Sequence, residues 1–333
     1  MRDRLTISPR RYHQVAIAAL VLLTLIVFSG AAVRLTGSGL GCSDWPRCYP
    51  NGPIVAELET HAMVEFSNRI FSALVGIGAI AAGAFAFLRV PRRRDLCRIG
   101  ALLPLGVVLQ GVLGGLTVKY ELRPGFVMGH FIFSMLILVA AWALYWRSRP
   151  GYEHGAIAPA SPDRATTWAV RLLAPLAALM IFIGTAATAA GPHAGGRGTG
   201  DLVQRLYIHG SDTLGWAVDR HTVVGALLGL CAIVALALAW WRGAGRALLW
   251  ALGTTVALLG VQGMVGAVQY QAQLPAELVW VHVCLATLLW VAVLWSWTAA
   301  GSPPRGATQP GRDSFAAQSA AGPAVRDVPT GVA

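Results

Sequence analysis

Charge is scarce in this sequence. Of its 333 residues only 12% are charged, against about 25% in an average soluble domain. The acids number only 15. So little charge cannot cover a surface that faces water, which excludes a soluble enzyme. Cysteine is sparse too, five in all. Cys42 and Cys48 stand alone in one loop, where a metal pair would lack further ligands. Cys97, Cys231 and Cys284 fall on the inner side or within apolar runs and read as packing residues. No ionisable residue stands at the middle or in the inner half of any apolar run, which argues against an ion-coupled transporter.

What the chain has instead is apolar length. Hydrophobic residues make up 56%, and the mean hydropathy is +0.59. Eight runs are long enough to span a bilayer: 15–34, 62–88, 99–118, 127–146, 168–190, 220–241, 247–268 and 278–299. Many of the 12 tryptophans stand near run ends, as an interfacial belt requires. The formal charge of +11 follows membrane topology. With the N-terminus inside, 18 of the 26 basic residues lie on inner segments, whose net charge is +12 against −1 outside. The positive-inside rule therefore places both termini in the cytoplasm, in a cell-membrane protein with lipid around it and no nucleic-acid partner. The expected organisation is a basic N-terminus (1–14), a first bundle (15–146), a Pro-bearing linker (147–167), a second bundle (168–299) and a disordered tail (300–333).

The two halves repeat. Gly30 and Gly37 match Gly184 and Gly191 at an offset of 154, and Gln110-Gly111-Val112-Leu113-Gly114 matches Gln262-Gly263-Met264-Val265-Gly266 at 152. His130 matches His282 at 152, and an offset of 153 pairs Asn68 with His221. Four helices per unit is an even number, so both units enter the membrane from the same side. The fold class is thus an all-α polytopic membrane protein, eight transmembrane helices in two parallel-repeat four-helix bundles. The glycine-rich pairs read as helix packing.

Three stretches carry chemistry. His61, Glu65 and Asn68 fall on one side of the second helix by their spacing of four and three, and Arg69 follows. An acid so close to hydrocarbon is a functional-site candidate; the bland alternative is a solvated helix start. Asn68, His130, His221 and His282 share one depth near the outer surface. Two imidazoles at one level on helices two and four of a bundle can face each other across a planar ligand, as axial haem ligands do. The alternatives are interhelical hydrogen bonding and zinc, for which two further ligands are not evident. Cys42 and Cys48, six apart in a Gly- and Pro-rich outer loop, can close a disulfide in an oxidising compartment; the alternative is two free thiols.

With these residues in view, the chain resembles the haem A synthase family, membrane enzymes that serve assembly of A-type cytochrome oxidases. The resemblance covers about 15–299. It rests on Gly37-Ser38-Gly39-Leu40-Gly41-Cys42 with Trp45-Pro46 and Cys48, on Glu65 with Arg69, and on the histidines of helices four, six and eight. It implies two bundles, each with an outer haem pocket. The C-terminal pocket would keep a haem b on His221 and His282. The N-terminal pocket would take haem O as substrate, oxidising its C8 methyl through an alcohol to a formyl group. Glu65 matches the carboxylate beside that substrate, and Cys42 with Cys48 matches a family disulfide. Arg69 would pair with Glu65 or clamp a haem propionate. The implied partners are haem O, haem O synthase and an electron donor; the donor, the oxygen source and any homo-oligomer are not legible.

One departure stands out. The family motif Glu-x-x-His-Arg reads Glu65-Phe66-Ser67-Asn68-Arg69 here, which leaves His130 as the strong ligand of the substrate half. His61 sits two turns outward from Asn68, roughly 10 Å, too far to replace it without moving the haem. Whether Asn68, His61, His193 or His209 completes the substrate site is left to the structure. Rival readings are a two-haem electron-transfer cytochrome and a haem transporter or chaperone. The carrier does not predict an acid at 65 where the second half has Val218, and the transporter would need a passage reaching the inner face.

Overall fold

The computed structural model describes residues 6–51, 58–152, 163–193 and 203–301. Arg2, Arg4, Pro159, Pro162, Ala194-Gly195-Gly196 and the expected tail from 302 onward lie outside the described residues. Among the described residues eight helices follow in order: α1 (Pro9–Leu35), α2 (Thr60–Leu88), α3 (Arg94–Lys119), α4 (Pro124–Ser148), α5 (Arg164–Ala190), α6 (Thr213–Trp241), α7 (Arg246–Gln271) and α8 (Ala276–Ala299). All eight are long and apolar enough to cross a membrane. Their outward faces carry bare apolar side chains such as Ile77, Val108, Val223 and Leu230, each at least 60% exposed. Such faces suit lipid, not water.

Most helices outrun their apolar stretches because polar residues begin them. Ser8 accepts the Arg11 amide and Pro9 occupies the first turn of α1. The Glu59 carboxylate accepts the amides of Ala62 (2.8 Å) and His61 (3.1 Å) at the start of α2, and these bonds hold it below the usual carboxylate range. Asp163 caps α5. Its bond from the Thr166 hydroxyl, with help from the Thr166 amide and Arg242 at 2.9 Å, pulls it down likewise. The largest change from expectation is α6, which starts at Thr213 instead of 220. Asp219 and Arg220 are tolerated within it, the Arg220 guanidinium lying over the Trp216 ring, 4.8 Å from its centroid.

Each half closes on itself. Helices α1 to α4 pack in a ring, and so do α5 to α8, while α1 with α8, α4 with α5 and α4 with α8 join the halves. That contact pattern is the same when the halves are exchanged, as a two-fold axis between α4 and α8 requires. Indole N–H groups lock the seam: Trp142 to the Thr298 hydroxyl (3.2 Å), Trp290 to the Met135 carbonyl (3.0 Å) and Trp280 to the Phe28 carbonyl (2.9 Å). Within the first ring, small residues let backbones touch. A side chain on Gly83 would sit 3.1 Å from the Gly100 carbonyl, and one on Gly100 would sit 3.2 Å from the Ala82 carbonyl.

The duplication extends to strained turns. Glu121 and Leu122 after α3 have φ of 53° and 57°; Gln273 and Leu274 after α7 have 63° and 61°. Consecutive left-handed residues without glycine cost about 1–2 kcal/mol each. The same bonds hold both turns: Leu122 N–H to Thr117 (2.9 Å) and Leu274 N–H to Gln269 (2.7 Å). These positions differ by 152, the offset that relates the Gln-Gly pairs.

Candidate functional site

The site is one cavity of about 1140 Å³ that runs across both halves. All eight helices line it, each with the portion nearest the loop carrying Cys42 and Cys48, hereafter the disulfide end. At the opposite end the bundles are filled by Tyr12, Leu96, Leu144, Ala239 and Leu248, all at most 3% exposed. The volume exceeds the roughly 300–1,000 Å³ usual for one small-molecule site.

Depth is matched residue for residue. Asn68 and His221 each stand eight positions past the first residue of their helices, and His130 and His282 each stand six past theirs. All four line the cavity. The His221 and His282 rings face each other with centroids 6.1 Å apart. A metal held between two imidazole nitrogens at about 2.0 Å each separates the centroids by roughly 6 Å. The Nδ1–H of His221 donates to the Met180 carbonyl at 3.0 Å, which leaves Nε2 as the free lone pair. The Nδ1 atoms of His282 and His130 are shielded and have no hydrogen-bond partner among the described residues. Among the described residues no cluster of three His, Cys, Asp or Glu forms a metal site, so the arrangement suits a metal that brings its own equatorial ligands.

The residues behind the imidazoles, helix packing by their sequence pattern, do more. Gln262 donates to the His282 carbonyl at 2.9 Å, and Gln110 to the His130 carbonyl at 3.0 Å. A side chain on Gly266 would lie 3.1 Å from the His282 ring, one on Gly114 3.4 Å from His130, and one on Gly184 2.9 Å from His221. The Gln-Gly-x-x-Gly repeat is therefore a seat for the histidine of the next helix. Gly30, the counterpart of Gly184, would meet nothing within 4 Å, since the shorter Asn68 stands opposite. Its side-chain oxygen accepts from the Ser29 hydroxyl at 2.7 Å. Gly184→Ala should accordingly push the His221 ring and weaken metal-porphyrin binding severalfold in an absorbance titration. Gly30→Ala should leave the same titration unchanged.

Glu65 is 5% exposed and lies at the cavity wall. Oε1 accepts from Arg69 at 2.5 Å, and Oε2 from the Cys42 amide at 2.8 Å. Arg69 also donates to the carbonyls of Asp44 (2.9 Å) and Arg47 (3.0 Å). The acid and the cation thus pin the first loop to α2. Cys42 and Cys48 form the expected disulfide within that loop. Gly41 permits the contact, because a side chain there would collide with the His61 carbonyl group. Trp45 packs on Gly115 of α3 and reaches the cavity. Val218 lines the cavity where the second half would need the acid.

The remaining candidates separate. His61 is outside the cavity lining; its Nδ1 bonds to the buried Ser38 hydroxyl at 2.9 Å. The loop claims that end of the helix face, which periodicity alone does not reveal. His193 is at the cavity mouth and donates to the Leu274 carbonyl at 2.6 Å. His209 is exposed against Trp216 and outside the lining.

Fold and site define a polytopic membrane protein of duplicated four-helix units, with one shared cavity walled by paired histidines in one half and by a histidine and an acid in the other. The chain belongs to the cytochrome oxidase assembly protein family (COX15-CtaA), whose sequence model matches residues 13–196. It is 28% identical over 182 residues to a haem A synthase of Shewanella oneidensis, covering 49% of this chain and 51% of that protein. It is 29% identical over 131 residues to one from Lysinibacillus sphaericus (39% and 42%), and 27% over 124 residues to one from Listeria welshimeri (36% and 40%). The aligned part spans about half the length of the first relative and two fifths of the others.

Proposed function

We propose that the chain is a haem A synthase. The observation that carries this is the asymmetry of a duplicated site. One half offers two imidazoles at 6.1 Å; the other keeps one histidine, His130, and gains a buried acid, Glu65, with no counterpart. The names of the relatives point the same way.

In this proposal His221 and His282 hold a haem b. The fit rests on the ring separation, on the free Nε2 of His221 and on the glycine seats beneath both rings. Bound there, haem b would supply a one-electron relay. Haem O, the substrate, would bind through His130 in the first half, with Asn68 as a hydrogen-bonding neighbour. Turning its C8 methyl into a formyl group takes two hydroxylations with dioxygen as oxidant and oxygen source, each consuming two electrons from the donor and two protons and giving one water, after which the diol loses water and must give up a hydroxyl proton. Glu65 lies at that wall with lone pairs left on both oxygens after its two bonds, so it can take a proton from the substrate side. Arg69 keeps that carboxylate aimed and holds the loop over the pocket.

A two-haem electron carrier would need no acid at 65. A transporter would need a passage, and the packed end opposite the loops offers none among the described residues. Both termini in the cytoplasm of a cell-membrane protein follow from the basic excess at that end. Haem O synthase and an electron donor are the partners this chemistry requires.

Co-expression of the chain with a haem O source, followed by pigment extraction, tests the proposal. Haem A or its hydroxymethyl precursor is expected. Unchanged haem O beside a protein that holds haem b would overturn the enzymatic reading in favour of a carrier.

A further inference from the structure

Among the described residues three side chains of Asp, Glu, Lys or Arg line the cavity: Glu65, Arg69 and Arg34. Glu65 and Arg69 neutralise each other, and Arg69 is further occupied by loop carbonyls. Arg34, in the last turn of α1, has no such partner. One terminal nitrogen donates to the Thr188 carbonyl at 3.4 Å, a long bond to a neutral acceptor. Its Nε is shielded from solvent and has no hydrogen-bond partner among the described residues. No carboxylate pairs with it among them. A guanidinium taken out of water and left without an anion is costly, so its place at a cavity wall calls for an anionic group on the ligand.

Its location says which ligand. Thr188 is the counterpart of Arg34 in the other half, at the same offset of 154 that relates Gly30 and Gly184. The guanidinium therefore reaches across the seam. It arrives one helical turn, about 6 Å, beyond Gly184, which backs the His221 ring. Gln269 stands at the same end of the cavity with a shielded amide oxygen that also lacks a partner. We propose that Arg34 anchors a carboxylate of the macrocycle held between His221 and His282, so that α1 of the first half completes the pocket of the second. A guanidinium fork matches a carboxylate in a paired, two-bond geometry that a neutral ester cannot offer. The inference rests on the proposed porphyrin site and adds the group that orients its ligand.

The test uses the full chain, purified without haem and titrated with ferric haem b and with its dimethyl ester, binding being read from the Soret band. Wild-type protein should prefer the free acid by at least about tenfold, the scale of a charged hydrogen bond. Arg34→Gln should lose that preference by weakening the acid alone, with ester binding unchanged. Arg34→Lys keeps the charge without the fork and should fall between the two, which decides the matter if the glutamine variant does not accumulate. Full preference retained in both variants would overturn the role of Arg34. Failure of either ligand to bind wild-type protein would overturn the porphyrin site itself, a separate result.

Discussion

Replacing Glu65 with alanine is expected to abolish haem A formation while the protein keeps its resident haem b. The two effects separate because Glu65 lies in one half of the cavity and the imidazole pair in the other. Removing a general base typically costs about 10²–10⁴ in rate, enough to empty a pigment extract of product. Alanine also strips the Cys42 amide and Arg69 of their acceptor. Breaking a buried ion pair in that way costs about 3–5 kcal/mol, so the loop is expected to loosen. Glu65→Gln resolves the two roles. Its amide oxygen can still accept from the Cys42 amide, and Arg69, though its ion pair is lost, keeps the Asp44 and Arg47 carbonyls, but the amide takes up no proton from the substrate. Glutamine should thus loosen the loop less than alanine does, read as a smaller rise in quenching of Trp45 fluorescence by a water-soluble quencher, and still yield no haem A. Wild-type haem A output from the glutamine variant would remove Glu65 from the chemistry and leave it as a loop clamp.

Much of this arrangement is legible in the residues because hydrocarbon imposes a simple rule. Every span needs about twenty apolar residues, and all eight runs became helices. Their ends moved because polar residues, not hydropathy, decide where a helix starts: α1, α2 and α5, capped by Ser8, Glu59 and Asp163, begin six, two and four residues earlier, and α6 gains seven residues up to Thr213. The repeat was legible as well, since Gln110 and Gln262 keep the same distance to His130 and His282 in both halves. What spacing cannot show is which side a loop will cover. His61 shares a helix side with Glu65 and Asn68, yet Ser38 claims it. Arg34 was legible only as one basic residue among 26, because its significance lies in a missing partner, and that is a property of packing. Gly184 was an anchor of the repeat; that it touches an imidazole follows only from how α5 meets α6.

His221→Ala and His282→Ala should each strip the protein of haem b, whereas His130→Ala should leave it bound. Mutating a residue that merely supports a metal ligand weakens affinity about 10–100-fold, so deleting a ligand should exceed that. The two variants should agree because the rings act as a pair: at 6.1 Å neither can hold an iron on both faces alone. The His130 variant tests the division of labour. It should show the low-spin spectrum of a six-coordinate haem at wild-type intensity and no haem A, since its ring lies in the substrate half beside Gly114. The opposite pattern, with haem b lost from the His130 variant and kept when 221 or 282 is alanine, would reverse the assignment of the halves. It would leave Glu65 beside the resident cofactor, where an acid with no counterpart has no substrate to act on.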